Sequence, residues 1–374
     1  MAIYLDTNAM AFLDPGILMF LHSLFVEEGG FGNPSSIHGF GKKTKQLIKE
    51  TSLLIEKALG FDRCRVIYTA GATESLNLAI QNIPAGSHVI TSSMEHPAVI
   101  EPLKKASLSV TYLDPIPKKC VISLEQIKEA VRENTSAIVL GWVNSEIGSR
   151  IDLEAIAAFA KERRLMLIVD ATAIVGKEVI RVPEGVSMLA FSGHKIHALS
   201  GIGVLLIAPQ MKLSPMLVGG GQQGGSRSGT EHIHGIASLQ YVFKKILADQ
   251  LSISQTMRSY RDTFESRIRE ALPDCVVICQ EDSRVSNLSA IAFPGLEGEV
   301  LQIALDLEGV ACGFGSACSS GTTSVFKSLT AMKVPREISL ATLRFSFSHL
   351  LSEEDVSVAA QKVIQVVQHL QQYA

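Results

Sequence analysis

The sequence predicts an α/β architecture: a large domain on a mostly parallel sheet flanked by helices, followed by a smaller α+β domain. Three observations carry that expectation. Helix-like and strand-like segments alternate over about residues 34–208, the order that builds a parallel sheet through crossover helices. The strand-like segments are short continuous apolar runs rather than alternating ones, which marks strands buried on both faces. Finally, 374 residues exceed what a single hydrophobic core usually fills, so two domains are expected.

Val89-Ile90-Thr91, Ala137-Ile138-Val139-Leu140, Leu167-Ile168-Val169 and Val204-Leu205-Leu206-Ile207 are the clearest strands of the large domain, 14–250. Gly219-Gly220-Gly221-Gln222-Gln223-Gly224-Gly225 then breaks the pattern with a flexible loop, and a long helical stretch follows at about 232–272. The domain boundary falls within that helix. The rest of the smaller domain, 251–374, contains the strand-like Ala290-Ile291-Ala292-Phe293 and Leu343-Arg344-Phe345, and it ends in a helix over about 353–371. No repeat or low-complexity segment is present.

A hydrophobic content of 47% with 19% charged residues describes an ordered globular chain, and a net charge of −3 gives no footprint for nucleic acid. No apolar run approaches the roughly 20 residues that span a bilayer, so no membrane partner is expected. Met1-Ala2-Ile3-Tyr4-Leu5-Asp6 lacks the basic region and apolar core of a signal peptide, which makes the cytoplasm the expected location. Cys64, Cys120, Cys275, Cys279, Cys312 and Cys318 are scattered rather than arranged as a disulfide framework, and reduced thiols are expected. Cys275 and Cys279 would share one face of a strand. With no second pair at metal spacing, they read as buried packing rather than a zinc site.

Three segments carry chemistry. Lys195 ends Phe191-Ser192-Gly193-His194-Lys195, after the apolar approach of 186–191; a lysine amine there is either a solvated loop residue or a nucleophile activated by burial. Asp170 closes the apolar run Leu165-Met166-Leu167-Ile168-Val169, where open α/β sheets place their ligands; it reads equally as a helix N-cap. Thr69-Ala70-Gly71-Ala72-Thr73-Glu74-Ser75 follows a strand-like run and opens a helix, so its small residues let backbone N–H groups approach a phosphate, or simply cap a turn. It has neither dinucleotide nor P-loop spacing. A phosphate cradle, a strand-end aspartate and a strand-end lysine, in that order, suggest pyridoxal phosphate. A separate feature is Cys318, which sits among Gly313, Gly315, Ser316, Ala317, Ser319, Ser320 and Gly321 and reads as a thiol on a mobile, exposed loop.

With these segments in view, the chain resembles the class V aminotransferase family, and within it the cysteine desulfurases of the nitrogen-fixation and iron–sulfur assembly type. The matching stretches run from Ile3-Tyr4-Leu5-Asp6 through Phe31-Gly32-Asn33-Pro34-Ser35-Ser36, Gly71-Ala72-Thr73-Glu74-Ser75, Glu95-His96 and Val143-Asn144-Ser145-Glu146-Ile147-Gly148. They continue with Val169-Asp170-Ala171-Thr172, Ser192-Gly193-His194-Lys195, Arg227-Ser228-Gly229-Thr230, Gly315-Ser316-Ala317-Cys318 and Arg344-Phe345-Ser346, covering nearly the whole chain.

The resemblance implies the pyridoxal phosphate-dependent transferase fold type I, with residues 1–13 packed on the smaller domain, and a homodimer with sites at its interface. It implies that Lys195 carries the cofactor as a Schiff base and then moves the substrate's α-proton, and that Asp170 holds the pyridine nitrogen protonated. His96, which could otherwise be a helix-capping histidine before Pro97, stacks on the ring. Asn144 lies near the phenolic oxygen. Ala72, Thr73, Ser192 and His194 hold the phosphate, with Thr230 from the other subunit. Arg344, otherwise an ordinary ion pair, binds the substrate carboxylate, and Asn33 is grouped with it as substrate-binding. The implied reaction removes sulfur from L-cysteine, gives L-alanine and leaves a persulfide on Cys318. The sulfur then passes to a protein acceptor such as an iron–sulfur scaffold, or toward tRNA thiolation. No intrinsic metal is implied, though Cys318 could ligate an iron–sulfur cluster transiently.

Several departures accompany the match. The family's Asp-Ala-Thr-Gln is Asp170-Ala171-Thr172-Ala173, so a glutamine near the phenolic oxygen is missing. The stretch after Lys195, Ile196-His197-Ala198-Leu199-Ser200, loses an aromatic, a glycine-proline turn and a lysine. Gln222-Gln223-Gly224-Gly225 lacks the usual charged pair, and Met10 replaces a threonine. Two alternatives therefore stay open: selenocysteine lyase or another class V activity, and a weakly active paralogue kept as a binding partner.

Overall fold

In a computed structural model, described for residues 2–27, 31–116, 119–315 and 325–373, the apolar runs become the strands of one large sheet. Its seven strands lie in the order Arg65–Thr69, Gly203–Ile207, Met188–Ser192, Met166–Asp170, Thr135–Gly141, His88–Ser92, Ser109–Leu113. Gly203–Ile207 runs antiparallel to both of its neighbours, and every other pairing is parallel. His88–Ser92, Met188–Ser192 and Gly203–Ile207 are buried at every position, as continuous apolar runs covered on both faces must be.

The covering helices follow from local signals. Helix Gly39–Leu59 is capped at its start by His38, whose ring accepts from the Gly41 N–H, and ends at Gly60 with φ +57°. It packs along the 39-residue helix Ile233–Ala271. That long helix reaches past the large sheet: its Phe264 packs against Phe345 and edge-on to Phe347 in the core of a second, four-stranded antiparallel sheet. The order there is Gly313–Phe314, Thr342–Ser346, Leu288–Ala292, Val276–Val277. Strand Ile3–Tyr4 pairs with Val310–Ala311 beside that sheet, and helix Glu353–Gln371 closes the chain. No helix among the described residues is long and apolar enough to cross a membrane.

The expectation that all thiols are reduced, with Cys275 and Cys279 on one strand face, is corrected. Only Val276–Val277 is strand, and Cys279 adopts a left-handed conformation (φ +57°) that turns the chain out of the strand line. Its sulfur is bonded to that of Cys120, 159 residues earlier, and both cysteines are buried. Asp282 lies close to the two sulfurs, but both are consumed by the disulfide rather than free for a metal. Cys64, Cys275 and Cys312 are free thiols.

Closing a loop of that length restricts the unfolded chain, so Cys120→Ser is expected to lower unfolding free energy by about 2–4 kcal/mol in protein kept free of reductant. Urea titrations with and without dithiothreitol check this, together with alkylation of unreduced, denatured protein, which should spare Cys120 and Cys279. Equal stability in both conditions and full alkylation would show the bond absent.

Candidate active site

The parallel strands stop together, and the site forms where they stop. Register pairs Asp170 with Gly141 on one side and Ala190 on the other, and Ser192 with Gly203. A cavity of about 290 Å³ opens off this edge. Ala72, Thr73, His96, Asn144, Asp170, Ser192, His194, Lys195 and Arg344, all singled out from sequence, line it.

One wall is a helix terminus. Helix Ala72–Ile80 begins directly after the Thr69 strand end, and the Ala72 N–H donates to Ser192 Oγ at 2.7 Å. The approach depends on glycine: a Cβ on Gly203 would stand 2.4 Å from the Gly71 Cα. Glu74, in the first turn, accepts from the Ala70 N–H at 2.7 Å and pairs with Arg227 at 2.8 Å, so its negative charge is balanced beside an anion-favouring helix end.

The opposite wall carries the amine. Lys195 sits in the short 3₁₀ turn Gly193–Lys195, and its Nζ donates to the main-chain carbonyl of Asn8. His194 is pushed toward its neutral form, first by burial and then by Lys195 and Lys177. Asp170 Oδ1 accepts from the Thr172 N–H at 2.9 Å, while the Thr172 hydroxyl is buried without a partner among the described residues. His96 caps helix Pro97–Lys105: its Nδ1 accepts from the Ala98 N–H at 3.0 Å, which leaves the proton of the neutral ring on Nε2. Burial foremost lowers its basicity. The capping role and the place in the cavity wall therefore coexist. Glu95, inside the fold but bordering the same cavity, accepts from the Gly141 N–H at 2.8 Å; burial, reinforced by Asp170, raises its carboxyl to about 8.

Asn144 is occupied structurally. Its Oδ1 accepts from the Glu146 and Ile147 N–H groups at 2.9 and 3.1 Å, and its Nδ2 donates to the Met94 carbonyl at 3.1 Å. Arg344 reaches in from the second sheet, donating from Nη2 to Asp6 Oδ1 at 2.6 Å and from Nη1 to the Ser145 carbonyl at 3.2 Å. Its Nε is buried with no partner among the described residues. Glu146 accepts from both the N–H and the hydroxyl of Ser328, at 2.8 and 2.7 Å, which anchors the chain just after residue 325 beside the cavity.

Three sequence candidates are not in this wall. Asn33 is exposed, its Oδ1 accepting from the Ser35 N–H at 2.9 Å. Thr230 is exposed as well. Cys318 lies outside the described residues; Cys312 is buried, and burial pushes its thiol strongly upward. Conversely, Asn8, Glu95, Lys177 and Lys327 line the cavity without having been singled out. The amine, the carboxylate and the helix terminus around one space fit a phosphorylated pyridine aldehyde, and the unpartnered Thr172 hydroxyl and Arg344 Nε are polar groups that a ligand could satisfy.

A family model described as aminotransferase class-V matches residues 3–358. The cysteine desulfurase IscS of Dictyoglomus turgidum (strain DSM 6724 / Z-1310) is 32% identical over 377 residues, covering 98% of this chain and 95% of the relative. Among solved structures, a NifS-like protein superposes with a TM-score of 0.89 at 26% identity, over 99% of this chain and 100% of the other. SspA in complex with cysteine superposes with a TM-score of 0.80 at 28% identity, over 92% and 99%.

Glu95 gives this site a pH signature. Its folded carboxyl holds a proton up to about 8 against an ordinary 4.5, so its contribution to stability is complete below about 4.5 and is lost as pH rises through 8. Glu95→Gln cannot ionise and is expected to gain on the wild type as pH climbs. Urea titrations at about pH 5, 7 and 9 measure the difference, and a constant difference would mean Glu95 is ionised throughout.

Proposed function

We propose that this chain, which belongs to the class V aminotransferase family, is a pyridoxal phosphate-dependent cysteine desulfurase. In this reading it takes the sulfur of L-cysteine, releases L-alanine and holds the sulfur as a persulfide on Cys318 for a protein acceptor. The observation that carries the reading is the convergence of Lys195, Asp170, Arg344 and the Ala72 helix terminus on one cavity.

Pyridoxal phosphate supplies an electron sink when bound. The chain's own groups do the rest. The N-terminus of helix Ala72–Ile80, with Thr73, Ser192 and His194, binds the phosphate, and Thr230 of a second copy completes it. Asp170 keeps a proton at the pyridine nitrogen, and the His96 ring covers the pyridine face. Lys195 Nζ holds the cofactor and moves the substrate's α-proton. Arg344 takes the substrate carboxylate with a guanidinium whose Nε has no partner among the described residues. The Cys318 thiolate accepts the sulfur: a sulfur–sulfur bond forms, the carbon–sulfur bond breaks, and the released carbon takes up a proton to give alanine. Support for Cys318 comes from its flanks, because Gly313 pairs with Arg344 on one side and Ser328 is tied to Glu146 on the other.

The same reading takes residues 14–250 as the cofactor-binding domain, and 1–13 with 251–374 as the domain carrying the cysteine loop. It makes the working unit a cytoplasmic homodimer. The exposed Leu18, Met19, Ile37, Phe40 and Val218 are apolar side chains that a partner subunit would cover. The acceptor is taken as a scaffold for iron–sulfur assembly.

Borohydride reduction of the loaded protein should fix the cofactor on the Lys195 peptide, and Lys195→Ala should abolish the adduct; recovery on another lysine would overturn the assignment. Cys318→Ser should retain the cofactor absorbance and lose both the persulfide and about 100-fold or more of alanine release. A persulfide confined to Cys312 would refute that role. Arg344→Lys, which gives up the planar fork, should raise KM for L-cysteine about 10- to 100-fold in steady-state alanine assays.

A further inference from the structure

Lys177 is a buried amine for which no ion pair exists among the described residues. It is 5% exposed, and among the described residues its Nζ has one hydrogen-bond partner, Asn8 Oδ1 at 2.9 Å. The adjacent carboxylate, Glu178, is engaged elsewhere, accepting from the Ser286 N–H at 2.6 Å and lying 3.7 Å from Arg258. A methionine or leucine could fill such a place without the cost of taking a charge out of water, so packing alone does not account for a lysine here.

Asn8 is where Lys177 meets Lys195. The Asn8 side-chain oxygen accepts from Lys177 Nζ and, at 3.2 Å, from Asn287 Nδ2, while its main-chain carbonyl accepts from Lys195 Nζ. Its own N–H donates to Ser346 Oγ at 2.9 Å, so the residue is pinned from both sheets. Both lysines border the central cavity and also a second cavity of about 30 Å³. We propose that Lys177 is a positioning residue for Lys195: tied to the same asparagine, it fixes where the Lys195 amine rests and, by like-charge repulsion, keeps that amine in its unprotonated, nucleophilic form.

This inference rests on Lys195 being the amine that bears the cofactor. Burial, then Lys195 and Arg344, hold Lys177 well below the ordinary lysine range. The repulsion is mutual, so the two amines take up one proton far more readily than two and titrate as a pair. Other titratable groups surround the pair, with Glu95, Glu146 and Lys327 on the same central cavity. His96, His194, His197 and His349 are all pushed toward neutrality by burial. Asp14 is paired with Lys245 at 2.6 Å, Asp6 with Arg344, and Asp170 lies at the sheet edge with its Oδ1 on the Thr172 N–H.

The test is a titration of Lys195 in the full-length chain stripped of cofactor, reading its acylation by a small reagent across pH by peptide mass spectrometry. Lys177→Met, close in shape and uncharged, is expected to raise the Lys195 midpoint by about one unit or more and to slow uptake of pyridoxal phosphate about tenfold near neutrality. Lys177→Arg, which stays charged, should hold the midpoint at or below that of the wild type. Where the methionine variant does not fold, Lys177→Gln keeps a donor for Asn8 without the charge and should show the same rise. An unchanged Lys195 midpoint in a folded Met or Gln variant overturns the proposal. Borohydride capture of the cofactor on a different lysine in the wild type would overturn the underlying reading instead, and the two failures are read in separate experiments.

Discussion

Everything at the candidate site depends on the hydrogen-bond register of the large sheet. Parallel pairing in step makes Gly141, Asp170 and Ala190 neighbours across three strands, and antiparallel pairing sets Ser192 and Thr69 on either side of Gly203. Side-chain direction alternates along a strand, so a slip of one residue would turn Asp170 out of the cavity edge and Ser192 away from the Ala72 N–H. The fully buried strands hold that register through the close packing of their side chains against the layers on both faces. The chemistry at the edge is therefore held by residues that have no chemistry themselves.

The N-terminal segment joins this edge to the second sheet. The Ser346 N–H donates to the Leu5 carbonyl, Asp6 pairs with Arg344, and Asn8 binds both lysines as well as Asn287 and Ser346. Within about four residues the chain couples the cation from Thr342–Ser346 to the amine that follows Met188–Ser192. Arg344 then arrives at the cavity with its charge partly balanced by Asp6, which lowers the cost of burying it and still leaves Nε without a partner among the described residues.

How much of this the sequence showed depends on how local each signal is. The strands 89–91, 137–140, 167–169 and 204–207, the long helix and the terminal helix were legible because apolar period and length are written within a few residues. Lys195, Asp170 and Ala72 were legible for the same reason, each standing at or just past the end of a strand. The Cys120–Cys279 bond was not, since it joins residues 159 apart and depends on a left-handed turn at a non-glycine residue. Lys177 and Asn8 are separated by 169 positions, and neither stands in a pattern that marks it; only their packing makes them neighbours.

The departures from the family pattern have physical counterparts. His197, where an aromatic residue is usual, takes φ +66° and is held by the Phe12 carbonyl at 2.7 Å and Ser348 Oγ at 3.2 Å, with His349 stacked edge-on at 5.0 Å. The histidine thus fills an aromatic position and ties the chain after Lys195 to the chain after Arg344 through ring nitrogens that a phenylalanine lacks. Ala173, in place of glutamine, is a buried methyl at the cavity wall. Donors near that position include the Thr172 hydroxyl, which has no partner among the described residues, and the second amide hydrogen of Asn144, whose first goes to Met94. Losing the glutamine removes one donor from the wall without leaving it apolar, so the substitution tunes the electrostatics of the site rather than dismantling it.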